Sequence, residues 1–332
     1  MWTLPSDELR AVNLRITLVR FFAEVVQPAA IVLLASCIFG QNTPPSSPTP
    51  SAQATSIPTP IDLKPDATGN VPVAPIRELL RRAEEKDLEN DKRARDYTYV
   101  EREEIHHLDG HGGTKKVESR TLEILEVYGE PVERLVAKED KPLPADEAKK
   151  EDDKIQKIID KRKNESEKDR RKRLEREEKS REEDRQFVLE VADAFNFRLL
   201  GSEVIEGHDC WVFEGEPRPG FQPKNRQAQI LSKFKGRVWI DKLEEQWVKI
   251  DITAIDTISV GLGLARFHKG TQVVVETTKI NNEVWLPKHV VFHVDVRLAL
   301  FKNYNEDVKQ TYRDYKKFRA ETKITVLGEE HP

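Results

Sequence analysis

Cysteine is nearly absent from this chain: there are two in 332 residues, Cys37 and Cys210, and the first lies in an apolar stretch near the N-terminus. Processing or acylation there leaves Cys210 without an intrachain partner, which excludes a disulfide framework. Within His208-Asp209-Cys210-Trp211 the remaining thiol reads as a small core residue. Neither charge sign is in excess, since 55 Lys and Arg stand against 59 Asp and Glu for a formal net charge of −4. A nucleic-acid binder needs a basic excess or stripe, so that class is set aside. No confident apolar run reaches the roughly 20 residues of a membrane-spanning helix.

Catalytic motifs are missing as well: there is no Gly-x-Ser-x-Gly elbow, no phosphate-binding glycine loop and no His-Glu-x-x-His. The pairs His208 with Asp209 and His293 with Asp295 have neither a nucleophile nor a third group to orient them. His106, His107 and His111 cluster around the turn Gly110-His111-Gly112-Gly113. A flexible glycine turn without nearby Cys or paired carboxylates fixes no ligand geometry, so they read as solvated loop histidines. The expectation is a non-enzymatic chain without metal or cofactor.

What is present begins with a leader over residues 1–40. Arg10, Arg15 and Arg20 precede the apolar run Val25 to Gly40, and polar, Pro-rich sequence follows, which is the order of a secretory signal. Leu34-Ala35-Ser36-Cys37 resembles a lipobox, with Cys37 as the lipidation site; cleavage after Gly40 is the competing reading, and a start near Val19 would give a shorter signal. Either route implies export, to the periplasm or to a membrane-tethered position in a Gram-negative-type envelope. Residues 41–74 read as a Pro/Ser/Thr-rich linker, too polar in its first half to bury a core.

A single β-rich domain is expected over residues 75–320, with a tail over 321–332. Ile76, Leu79, Leu80 and Ala83 share a face of a helix running from Pro75 to about Asp91. Strand signals follow at Tyr97–Ile105, Val117–Tyr128 and Pro131–Lys138. From Ala145 to Arg185 the chain is almost wholly charged, and Asn164-Glu165-Ser166-Glu167 breaks it into two helices of a protruding, solvated hairpin. Beyond it, Val248, Ile250, Ile252 and Ala254, then Val290, Phe292, Val294, Val296 and Leu298, alternate with polar residues as half-buried antiparallel strands do. Further strands are expected at Val204–Glu214, Gly236–Asp241, Thr271–Ile280 and Asp307–Tyr312.

Asn281-Asn282 marks a tight turn, which sets Ala265 opposite Leu298, Leu264 opposite Ala299 and Leu262 opposite Phe301. At that far end the alternation gives way to residues apolar on both faces. This is either core or an apolar mouth made by Val260, Leu262, Leu264, Leu298, Leu300 and Phe301.

Gly236-Arg237-Val238-Trp239-Ile240-Asp241, Gln246-Trp247-Val248-Lys249-Ile250 and Glu283-Val284-Trp285-Leu286-Pro287 resemble the strand pattern of the outer-membrane lipoprotein carrier and sorting (LolA-like) superfamily. More loosely they resemble acidobacterial-type envelope proteins with the same charged insertion, over about residues 190 to 320. The resemblance implies an α+β fold: a strongly curved antiparallel sheet, an incomplete barrel, wrapped around helices with an apolar concavity for acyl chains. The partner it implies is a lipid or acylated lipoprotein, bound without covalent chemistry. The alternative is an envelope scaffold whose contact surface is the charged helical hairpin.

Overall fold

A computed structural model describes residues 61–128, 130–224, 227–260, 265–298 and 302–318. The leader with Cys37, the first part of the linker and the tail lie outside the described residues.

Packed residues are present ahead of the helix at which the sequence places the domain. Leu63 and Val71 are buried against that helix and its neighbours. Val71 N donates to Phe197 O and Leu199 N to Gly69 O, so this stretch is tied to the sheet. Helix α1 (Val73–Ala94) buries Ile76, Leu79, Leu80 and Ala83, the face read from their spacing. Lys92 and Arg93 in its last turn complement the helix dipole.

Three antiparallel strands follow, β1 (Tyr97–Leu108), β2 (Thr114–Val127) and β3 (Glu130–Lys138), with the two-residue β4 (Lys141–Pro142). The charged region forms α2 (Ala145–Lys163) and α3 (Glu167–Ala194). The Ser166 hydroxyl accepts from Asp169 N at 3.2 Å, which is the cap expected at the break.

Two features correct the picture of a solvated hairpin. Helix α3 runs past Arg185, and Phe187, Val188, Ala192 and Ala194 at its end are buried beside α1. Helix α2 places Ile155, Ile158 and Ile159 against Val127 and Val132, and it caps the backbone of β3: Leu135 N donates to the Glu151 carboxylate and Lys154 Nζ to Glu133 O, both at 3.4 Å. A covered strand edge is protected from pairing with other chains.

The remaining strands are β5 (Phe195–Ile205), β6 (His208–Pro217), β7 (Phe234–Asp241), β8 (Trp247–Ala254), β9 (Ile258–Val260), β10 (Ala265–Phe267), β11 (Gln272–Ile280), β12 (Val284–Leu298) and β13 (Lys302–Lys317). The single strand expected at Val204–Glu214 is instead a hairpin. Glu206 and Gly207, at φ 48° and 88°, turn the chain between β5 and β6. All pairings are antiparallel, in the order β4-β3-β2-β1-β13-β12-β11-β8-β7-β6-β5, with β10 on β12 and β9 on β10. The end strands β4 and β5 do not pair with each other, so the sheet is an incomplete barrel.

Gly236, first residue of the β7 motif, sits where a Cβ would lie 2.2 Å from Asp251 O, so only glycine allows β7 and β8 to approach this closely. The β11–β12 register departs from the expected one near the turn and returns to it farther out. Ile280 faces Val284, a bulge between Glu276 and Thr277 shifts the ladder again, and two extra residues in the 268–271 connection restore Ala265 opposite Leu298.

Candidate ligand cavity

One face of the sheet is continuous from β6 to β3, and in β8 and β12 it alternates as the sequence reads it. Near β5–β8 this face carries Phe213 and Ile240, and α1, the end of α3 and Ala228 and Leu231 of the short turn Gln227–Lys233 fill it. At its other end the same face lines a partly open cavity of about 470 Å³. That volume is in the roughly 300–1,000 Å³ range of ligand sites.

Its floor is built by rows of facing residues. Phe292 of β12 faces Val308 of β13, which faces Ile105 of β1. Val294 faces Glu306 in the next row out, Val296 faces Tyr304 in the row after that, and Phe267 of β10 faces Val296. Leu122 and Leu135 continue the floor on β2 and β3. Five strand spacings of about 4.8 Å would hold Leu135 and Phe267 roughly 24 Å apart in a flat sheet. Both line one cavity, so the sheet curls around it.

A polar row crosses this apolar floor. Glu103, 1% exposed, pairs with Arg120 on β2, whose Nε lies 2.7 Å from Glu103 Oε1. Gln310 Nε2 donates to Glu101 at 3.0 Å and to Glu103 at 3.2 Å, and Tyr312 OH donates to Gln310 Oε1. Burial first, then the charges of Glu103 and Glu133, push the Glu101 carboxyl up to about 8, with Arg120 opposing them. Two buried carboxyl groups thus lie near one guanidinium that pairs with Glu103, and the proton that Glu101 retains balances the row.

Of the six residues expected to form an apolar mouth, Leu262, Leu264, Leu300 and Phe301 lie outside the described residues. The backbones of Val260 and Leu298 both stand opposite Ala265, one row beyond Phe267 and Val296. The sequence reading missed the β1–β3 wall of the cavity. Its signal was the odd-numbered series Tyr97, Tyr99, Glu101, Glu103 and Ile105, in which two acids occupy inward positions.

The histidines are placed differently from the expectation. His106 and His107 belong to strand β1, where His106 meets Glu104 and His107 Nδ1 lies 3.0 Å from Glu306. His293 pairs with Asp307 at 2.6 Å and not with Asp295, which takes His268 at 2.9 Å. His208 turns to Asp241 at 3.2 Å, while Asp209 takes Lys242. Cross-strand neighbours, which sequence adjacency does not show, decide these pairs.

Cys210 is fully buried with Val212, Trp239, Val248 and Trp285, and burial pushes its thiol up to about 11. Among the described residues, no group of three or more His, Cys, Asp and Glu is placed to hold a metal ion. No helix of the described residues is long and apolar enough to cross a membrane.

No family model matches the chain, and no curated protein matches it. Several solved structures are similar to it. A putative outer-membrane lipoprotein-sorting protein domain from Vibrio parahaemolyticus is 13% identical, with 74% of this chain and 95% of that one covered and a TM-score of 0.31. A DUF1329 family protein from Desulfovibrio piger is 11% identical over 76% and 95% of the two chains, with a TM-score of 0.27. A LolA superfamily protein from Nitrosomonas europaea is 11% identical over 74% and 94%, with a TM-score of 0.24.

Proposed function

We propose that this chain is a non-catalytic protein of the bacterial envelope that binds the acyl chain of a lipid or lipoprotein in the cavity between β3 and β10. The observation that carries the reading is the apolar floor of Ile105, Phe267, Phe292, Val296 and Val308 under a partly open volume of about 470 Å³. The strand motifs of the carrier superfamily support it from the sequence. In this reading Val260, Leu262, Leu264, Leu298, Leu300 and Phe301 extend the floor at the β9–β10 end. Export through the N-terminal leader delivers the domain to its ligand, and acylation of Cys37 tethers it to a membrane. Loss of acyl labelling in Cys37→Ala checks the tether.

The test of binding is a titration of the full chain with saturated fatty chains of increasing length. Each buried methylene contributes about 0.8 kcal/mol, so two further carbons tighten Kd by roughly tenfold until the cavity is full. An affinity that does not change with chain length contradicts the proposal.

A further inference from the structure

The charges around the cavity carry the reading further, to the head group of the ligand. Six glutamates line it against Arg120, Lys138 and Lys154, an excess of three carboxylates. Each of the three cations already has a carboxylate partner: Arg120 holds Glu103 at 2.7 Å, Lys138 holds Glu147 at 2.6 Å and Lys154 holds Glu151 at 3.1 Å. An anionic head group arriving here finds no cation without a partner among those three. It also meets Glu118 and Glu306, which flank the floor beside Ile105 and Val294 in the sheet register.

These two carboxylates are served by His107, 3.0 Å from Glu306 and 3.4 Å from Glu118, and by Lys116, 2.7 Å from Glu118. Glu306 is held at the cavity with 14% of its side chain exposed, so water screens it weakly. The aromatic rings of Phe267 and Phe292 in the lining add π surface whose face favours an ammonium group over a carboxylate.

We infer that the cavity selects amphiphiles with a cationic, amine-bearing head group over fatty-acid anions of the same chain length. This rests on the acyl-binding reading above, because the apolar floor supplies the affinity and the carboxylates only the choice of head group.

Calorimetric titration of the full chain, at low ionic strength and below micelle formation, compares dodecylammonium, dodecanoate and neutral dodecanol. Dodecylammonium is expected to bind at least about tenfold more tightly than dodecanoate, and added salt should narrow the ratio. Glu118→Gln combined with Glu306→Gln should bring the ratio toward one. Glu118→Gln alone, which leaves the contact between Glu306 and His107 in place, should move it part of the way. Dodecanoate binding as tightly as dodecylammonium, or a ratio indifferent to salt, overturns the selectivity while binding of dodecanol keeps the acyl-chain reading. Failure of all three to bind overturns both.

Discussion

The two ends of one sheet face obey the same period-2 pattern and end in opposite states. At the β5–β8 end the face is filled, and at the β1–β3 and β10–β13 end it is hollow. The difference lies in the helices available to each. Helix α1 brings Ile76, Leu79, Leu80 and Ala83, and the last turns of α3 bring Phe187, Val188 and Ala192, so apolar stripes meet an apolar sheet. Helix α2 has a single narrow stripe, spent on Val127 and Val132, and presents Glu151 and Lys154 to the cavity. A charged helix closes a strand edge without filling a core.

Buried polar groups differ in the same way. Under helix α1 Asn90 exchanges hydrogen bonds with the backbone of Trp285 at the start of β12, and Gln246 donates to Asp87 at 2.7 Å. In the hollow end Glu101 and Glu103 share Gln310, and Glu103 also holds Arg120.

The largest expected effect is on the filled end. Phe187→Ala leaves a void that neighbouring helices cannot close, costing about 3–5 kcal/mol in denaturant unfolding. Next comes a pair of enlargements with opposite signs. Ala192→Leu overpacks the filled end and costs about 1–3 kcal/mol, whereas Val294→Phe grows into the cavity and leaves stability unchanged or raises it by about 0.5–2 kcal/mol. Equal destabilisation by both would break the distinction between the ends.

The pH response is smaller and touches both ends. Burial pushes Asp87 from 3.8 up to about 7, and Glu101 from 4.5 up to about 8. The folded chain holds these protons where the unfolded chain has released them, so the stability these two groups contribute is fully present in acid and is lost as pH rises. The fall runs from about pH 4 to about pH 8 and then levels, as these two ranges set it. Asp87→Asn should remove the part below pH 7, and Glu101→Gln the part that reaches pH 8, both read from thermal unfolding against pH. The smallest effect belongs to the charged hairpin away from its packed stripe. Lys179 and Glu183 are 3.6 Å apart and largely exposed, so Lys179→Ala should change stability by about 0.5 kcal/mol or less.

Much of the fold was legible because its signals are local. The stripe of α1, the capped break at Ser166 and the alternation of β8 and β12 each lie within a few residues of sequence. The β5–β6 hairpin was not legible, since the polar run Gly201-Ser202-Glu203 hides the alternation of β5 on one side of the turn. The buried end of α3 was masked by the twenty charged-rich residues before it, although Phe187 and Val188 stand out in that helix. Half of the candidate site was readable as the apolar residues of β12. The other half comes from β1 to β3, and only the curling of the sheet brings Leu122 and Leu135 to Phe267.

The central claim is that the hollow end takes an apolar chain. Displacement of a fluorescent fatty-chain probe, measured side by side on the parent chain and on Val294→Phe, tests it most directly. Saturable binding by the parent and its loss in a variant that unfolds no earlier is the result expected. Undiminished binding in Val294→Phe would contradict the account, because the probe would then be held somewhere other than the cavity.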